Sequence, residues 1–200
     1  MSIPLVLTLS RMFLGPIFLI VYLYAEALGV SLYWLPFLLL FLYCLSELSD
    51  VFDGALARRH NQVTDLGKLL DPMADTIFRL SVFLGFTQGI IQLPLLLVCV
   101  FFYRDMVIST LRTICALKGV ALAARLSGKI KAVLQASIVF FILLLMIPYS
   151  MGYLELETLR SLSFYSVLIG ALYTVCSGIE YILANRSYIK KALAFQSQRS

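Results

Sequence analysis

Asp50-Val51-Phe52-Asp53-Gly54-Ala55-Leu56-Ala57-Arg58, a gap of eight residues, then Gly67-Lys68-Leu69-Leu70-Asp71-Pro72-Met73-Ala74-Asp75 make the stretch around which this chain is organised. Two pairs of aspartates bracket it, and the sequence on either side is almost pure hydrocarbon. Helical residues three or four apart share a face, with Cβ atoms about 5–6 Å apart. Asp50 with Asp53, and Asp71 with Asp75, are therefore one-face pairs on two successive helices. The short connection between those helices makes them antiparallel neighbours whose pairs can face each other. Four carboxylates at close range repel strongly where the dielectric is reduced, so either several are protonated or a divalent cation neutralises them. Hard oxygen donors, without cysteine and with only His60 nearby in the loop, favour Mg²⁺, Mn²⁺ or Ca²⁺ over zinc. Two metal ions held between such pairs suit phosphoryl transfer, where they screen oxyanions. Ion pairing with Arg58, Arg59 and Arg79 alone would call for fewer acids than the stretch supplies.

The small residues add a backbone role. Gly54, directly after Asp53, lets a ligand approach the main chain closely. Ala57 keeps that face thin one turn later, and Arg58 offers a fork-shaped cation to a phosphate. Gly67 does the same at the mouth of the next helix. Small-residue helix packing in lipid explains Gly54 and Ala57 equally well. Asp65 and His60 read as solvated loop.

Working outward, 61% of the 200 residues are hydrophobic and 14% charged, against about 45–50% and roughly 25% in ordinary soluble domains. With a mean hydropathy of +0.94, the chain reads as an all-α integral membrane protein in which residues 1–200 form a single domain. Arg11 and Pro16 interrupt the beginning and no small-residue cleavage site follows, so no cleavable signal peptide is expected. Cys44, Cys99, Cys115 and Cys176 sit in apolar runs without metal-ligand spacing and read as small hydrophobes.

A spanning helix needs about 20 mostly apolar residues, and six such runs are expected in one bundle. The first covers about Phe13 to Leu28, preceded by a short amphipathic interfacial helix over Ile3 to Arg11 and closed by Gly29. The second covers about Leu32 to Ala57, and the third about Leu69 to Gly89. The fourth follows Pro94 to about Leu117, the fifth runs from Ile130 to Ile147 and stops at Pro148, and the sixth runs from Leu159 to Leu183. Lys and Arg mark the cytoplasmic side. Arg11, Arg58, Arg59, Lys68, Arg112, Lys118, Arg125, Lys129, Lys131, Arg186, Lys190, Lys191 and Arg199 all fall at one side; the opposite loops hold Arg160 with Glu26, Glu155 and Glu157. Both termini and the four aspartates are thus expected on the cytoplasmic face of a multi-pass inner-membrane protein. The net charge of +5 is a topology signal with some attraction to anionic lipid, and no nucleic-acid partner is needed to explain it.

Asp50-x-x-Asp53-Gly54-x-x-Ala57-Arg58, eight residues, Gly67-x-x-x-Asp71-x-x-x-Asp75 resembles the signature of the CDP-alcohol phosphatidyltransferases, with every defining position present. Ile3-Pro4, Leu7-Thr8, Arg11, Pro16, the run Arg104 to Arg112, and Gly128-Lys129-Ile130-Lys131 with Gln135 look like the bacterial phosphatidylglycerophosphate synthase branch. The likeness spans roughly residues 3 to 135. It implies transfer of a phosphatidyl group from CDP-diacylglycerol to a small alcohol with release of CMP, and commonly a homodimer. It implies that Asp50, Asp53, Asp71 and Asp75 hold metal, two Mg²⁺ or Mn²⁺ ions, with Asp75 also the general base. Gly54, Ala57, Arg58 and Gly67 would line the CDP-diacylglycerol site.

Arg104 lies in an apolar run, where a charge is costly and usually functional or paired, for instance with Asp105. Arg112 is about two turns further on roughly the same face, and Lys129 begins the next span. These three are candidates for the acceptor's phosphate, which favours glycerol 3-phosphate, with inositol phosphate as the nearest rival. Lys118, Arg125 and Lys131 read as cytoplasmic flank. Arg79, one turn after Asp75, is placed either to pair with it or to contact substrate. The chain departs from the branch at Thr76, where Lys is usual, at Arg125 and Ala132, where Ser and Thr are common, and in lacking Asn beside Ile3-Pro4. A divalent-cation transporter is the reading from another class, but its acids would be spread to the midplane and both faces.

Overall fold

The computed structural model describes the backbone of residues 3–59, 65–117 and 125–189, and side chains in 10–49, 52, 73–117 and 125–189. Six long helices appear and, among the described residues, no strand: α1 Ile3–Leu23, α2 Leu35–Arg59, α3 Asp65–Phe86, α4 Leu95–Leu117, α5 Leu126–Ser150 and α6 Leu156–Ala184. A further helical turn follows at 186–189.

Several boundaries differ from the sequence expectation, each for a local reason. The N-terminal segment is not a separate interfacial helix, because Ile3 to Leu23 is one helix with Pro16 inside it and no breaker stands between Arg11 and Phe13. That helix also ends before Leu28. Gly29 takes the left-handed conformation (φ 72°), and its N–H and that of Val30 bond back to Glu26 and Ala25, which turns the chain early. The third helix begins at Asp65 rather than Leu69; acidic residue types favour the first turn of a helix. Asp65 is therefore a helical residue, not loop. Pro148 does not stop α5, which continues to Ser150; so near the end, a proline forfeits only one backbone bond.

The helices close into a ring in the packing order α1, α2, α5, α6, α4, α3 and back to α1. Directions follow from contacts. A Cβ on Gly15 of α1 would meet Phe78 Cα at 3.1 Å and Ser81 Oγ at 3.0 Å, while Tyr22 further along α1 packs on Phe86. α1 and α3 therefore run parallel and α2 runs back. Among the described residues α3 packs chiefly on α1 and α4, and α2 on α1 and α5, so the expected side-by-side packing of the second and third helices gives way to α1 between them. α4 and α6 are likewise parallel, since Gly170 lies against Phe101 and Gly178 against Arg104. α5 runs opposite to α6, pairing Ile138 with Gly170 and Ser127 with Glu180. The core inside the ring is aromatic: Phe18, Phe78 and Phe86 meet edge to face, Tyr43 stacks on Phe78, and Phe83 tilts against Phe101.

The outside of the ring is apolar as well. Phe13, Phe41, Leu96, Val133, Ile169 and Leu172 are all more than half exposed, a pattern a water-facing surface does not sustain. α5 and α6 are long and apolar enough to cross a membrane, and Ser10–Leu23 and Leu35–Ser49 are shorter apolar stretches of α1 and α2. Charge near one end of α2 and α3, and from the middle of α4 onward, breaks their apolar runs. At the opposite end the loops carry exposed Tyr24, Tyr33, Trp34 and Tyr153, the amphipathic rings favoured at a membrane boundary.

Candidate active site

α2 is helical through Asp50, Asp53, Gly54, Ala57 and Arg58, and α3 through Gly67, Asp71 and Asp75. The signature therefore occupies the last turns of one helix and the first turns of an antiparallel one, at one end of the ring. The side chains of Asp50, Asp53, Ala57, Arg58 and Asp71 lie outside the described residues; that of Asp75 lies within them.

Asp75 is paired along its own helix, its carboxylate 3.0 Å from Arg79 Nη2. The i, i+4 spacing permits this directly, and it answers the question the sequence left open about Arg79. The arginine is the more buried partner. Across the interface, α1 and α3 run in parallel with Gly15 opposite Phe78 and Ser81. One turn back along both helices, Arg11 comes level with the turn that carries Ala74 and Asp75. Arg11 is 2% exposed, so the residue read as a topology marker is a buried cation, and a buried guanidinium needs acceptors around it.

The acceptor-side candidates separate in space. Arg104 is largely buried and its Nη1 lies 3.1 Å from Asp105 Oδ1. Its aliphatic stem runs over Gly178, and its Nη2 lies 3.8 Å from where a Cβ on Gly128 would stand, so it reaches the first turns of α5. Arg112 and Lys129 are exposed. Lys131 is 5% exposed, and its ammonium donates to both oxygens of Asp105 at 2.6 Å. The sequence reading set Lys131 aside as flank, yet it is the lysine that enters the charged cluster. Residues two apart on a helix face different ways, so only one of Lys129 and Lys131 can point inward. Arg125, also read as flank, pairs with Glu180 at 2.7 Å, and Ser127 Oγ bonds the same carboxylate.

A small cavity of about 20 Å³ separates Asp75's helix from this cluster, lined by Thr76, Arg79, Asp105 and Gln135 among phenylalanines. That is room for about one water. Buried Arg79 Nε and Arg104 Nε find no hydrogen-bond partner among the described residues. Each of these two guanidinium groups therefore keeps one donor unused beside the charged cluster. An aliphatic-looking run containing Arg-Asp, followed on the next helix by Lys129-x-Lys131, was the signal for it. The helix phase that chooses Lys131 was not legible without the packing.

With that arrangement in view, the chain belongs to the CDP-alcohol phosphatidyltransferase family, whose profile matches residues 1–190. Among curated proteins it is similar to the CDP-diacylglycerol–glycerol-3-phosphate 3-phosphatidyltransferase of Bacillus subtilis, 30% identical over 195 residues, covering 94% of this chain and 97% of that one. The protein of the same name from Rickettsia typhi is 28% identical over 191 residues, covering 94% and 98%. That from Escherichia coli K12 is 33% identical over 140 residues, covering 67% of this chain and 72% of its own.

Proposed function

We propose that this protein transfers the phosphatidyl group of CDP-diacylglycerol to glycerol 3-phosphate, giving phosphatidylglycerophosphate and CMP. The observation that carries this reading is the complete signature, from Asp50 to Asp75, set at one end of two antiparallel helices in a chain that matches relatives of that activity almost end to end. The acceptor hydroxyl oxygen attacks the phosphorus that bears the diacylglycerol. A P–O bond to the CMP phosphate breaks, CMP leaves, and the hydroxyl proton passes to Asp75. Arg79, 3.0 Å from Asp75, holds and aims that carboxylate, as a base within hydrogen-bond reach requires. Gly54, Ala57 and Gly67 leave space for the cytidine diphosphate, and Arg58 takes one of its phosphates. Arg104 receives the phosphate of the acceptor, with the exposed Arg112 and Lys129 on its approach from the surface.

The donor set of Asp50, Asp53, Asp71 and Asp75 is all hard oxygen at helical spacing, which fits Mg²⁺ or Mn²⁺, two ions in all. Bound there, the metal supplies charge screening for the diphosphate and its leaving group. The bundle crosses the inner membrane six times, with both termini and the site on the cytoplasmic side; the one-sided Lys and Arg and the aromatic residues at the other end support this. Lipid tails then stay in the bilayer while nucleotide and alcohol meet at its surface. Residues 1–200 act as one domain, and family likeness supports a homodimer.

The test is CMP release by purified protein given CDP-diacylglycerol, Mg²⁺ and a panel of alcohols and alcohol phosphates. Glycerol 3-phosphate is expected to be the productive acceptor. Release with inositol phosphate alone would keep the family and refute this acceptor, a rival that the departure at Thr76 keeps in view. Silence across the panel would leave cation transport as the better explanation of the carboxylates.

A further inference from the structure

The cluster across the cavity contains an acid that phosphatidyl transfer does not call for. Asp105 accepts from Lys131 Nζ through both oxygens at 2.6 Å and from Arg104 Nη1 at 3.1 Å. The three side chains are 6–19% exposed, and Lys131 and Arg104 come from different helices, α5 and α4. A carboxylate inside a pocket meant for a phosphate dianion repels the ligand unless it does something else there. What it does here is geometric. Lys131 has a flexible four-carbon stem, and bidentate contact with Asp105, which lines the cavity, fixes its ammonium behind that carboxylate. Arg104 is pinned by the same carboxylate on one side and by Gly178 on the other, where a Cβ would come within 3.1 Å of its Cγ. Asp105 also lines the cavity with Thr76 and Arg79, and Arg79 holds Asp75. The formal charges of Asp75, Arg79, Asp105, Arg104 and Lys131 leave one positive unit, so an anion is still attracted.

We propose that Asp105 is a positioning residue for the acceptor: it fixes Lys131 and Arg104 as a rigid cationic wall, and Lys131 takes the phosphate of the incoming alcohol phosphate together with Arg104. This rests on the proposed function for the existence of a phosphorylated acceptor, and it adds Lys131 and Asp105 to that site. Supporting groups of this kind are worth about ten- to a hundredfold in affinity at metal sites, and a similar scale is expected where a ligand meets preorganised cations.

The experiment is steady-state CMP release by the full-length protein in detergent micelles, with the two substrates varied separately. Asp105→Asn is expected to raise the KM for glycerol 3-phosphate about tenfold or more, while the KM for CDP-diacylglycerol stays within about twofold. Asp105→Glu, which keeps the carboxylate but displaces it by one methylene, should fall between wild type and Asp105→Asn. If Asp105→Asn does not yield monodisperse protein, Asp105→Glu carries the test by the same acceptor-only shift. An unchanged or lowered acceptor KM overturns the proposal, as does an equal change for both substrates. Wild-type turnover separates the two readings: a wild type that ignores glycerol 3-phosphate refutes the acceptor, whereas a wild type that uses it beside an indifferent Asp105→Asn refutes only the role of Asp105.

Discussion

At the residue scale Asp75 is paired with Arg79, 3.0 Å away along its own helix. Asp75→Asn keeps the size of the side chain and removes its capacity to take a proton. Turnover is expected to drop by about 10²–10⁴-fold while the protein still binds CDP-diacylglycerol, as measured by equilibrium binding alongside CMP release. Intact turnover would remove Asp75 from the role of base. Arg112 is exposed beyond the buried cluster, and Arg112→Ala is expected mainly to raise the KM of the acceptor; an unaltered KM would take Arg112 out of the phosphate pocket. Spacing alone puts the aspartates of each pair on one helix face, and the backbone of α2 and α3 is helical through them. The choice of Lys131 over Lys129 was not legible at this scale, because it depends on the rotational phase of α5, and only contact with α4 sets that phase.

At the element scale the contact that brings α1 against α3 is narrow. Gly15 has no room for a branched side chain, since its Cβ would stand 3.1 Å from the Phe78 backbone. Gly15→Val should therefore destabilise the bundle by about 1–3 kcal/mol, read as a lower thermal unfolding midpoint in detergent. At the far end of α1, the Tyr22 hydroxyl donates to Gln88 O at 3.2 Å and accepts from the Ile91 N–H at 3.1 Å. Tyr22→Phe leaves that buried N–H unsatisfied and should cost about 1–3 kcal/mol while sparing the acceptor KM, because it loosens the loop opposite the site. Helix ends were the least legible elements. The early turn at Gly29, the start of α3 at Asp65 and the passage of α5 through Pro148 each depend on local backbone bonding that hydropathy does not register.

For the whole molecule, the testable statement is orientation. Tyr153 is 84% exposed in the loop between α5 and α6, at the end away from the signature. In a chain whose four native cysteines are replaced by serine, Tyr153→Cys is expected to react with a membrane-impermeant maleimide from outside intact spheroplasts. Labelling only after lysis would invert the topology. The sequence by itself determined the chemistry and the class of fold: carboxylate pairs at helical spacing, hydrocarbon on both sides and one-sided basic charge are properties of composition and order along the chain. Only the tertiary structure decided which charges meet. The Asp105–Lys131–Arg104 cluster joins α4 to α5, and Arg11 is buried opposite α3. Such contacts depend on how helices rotate and cross, which is set by close packing at small residues such as Gly15, Gly170 and Gly178 and by the need of every buried charge for a partner.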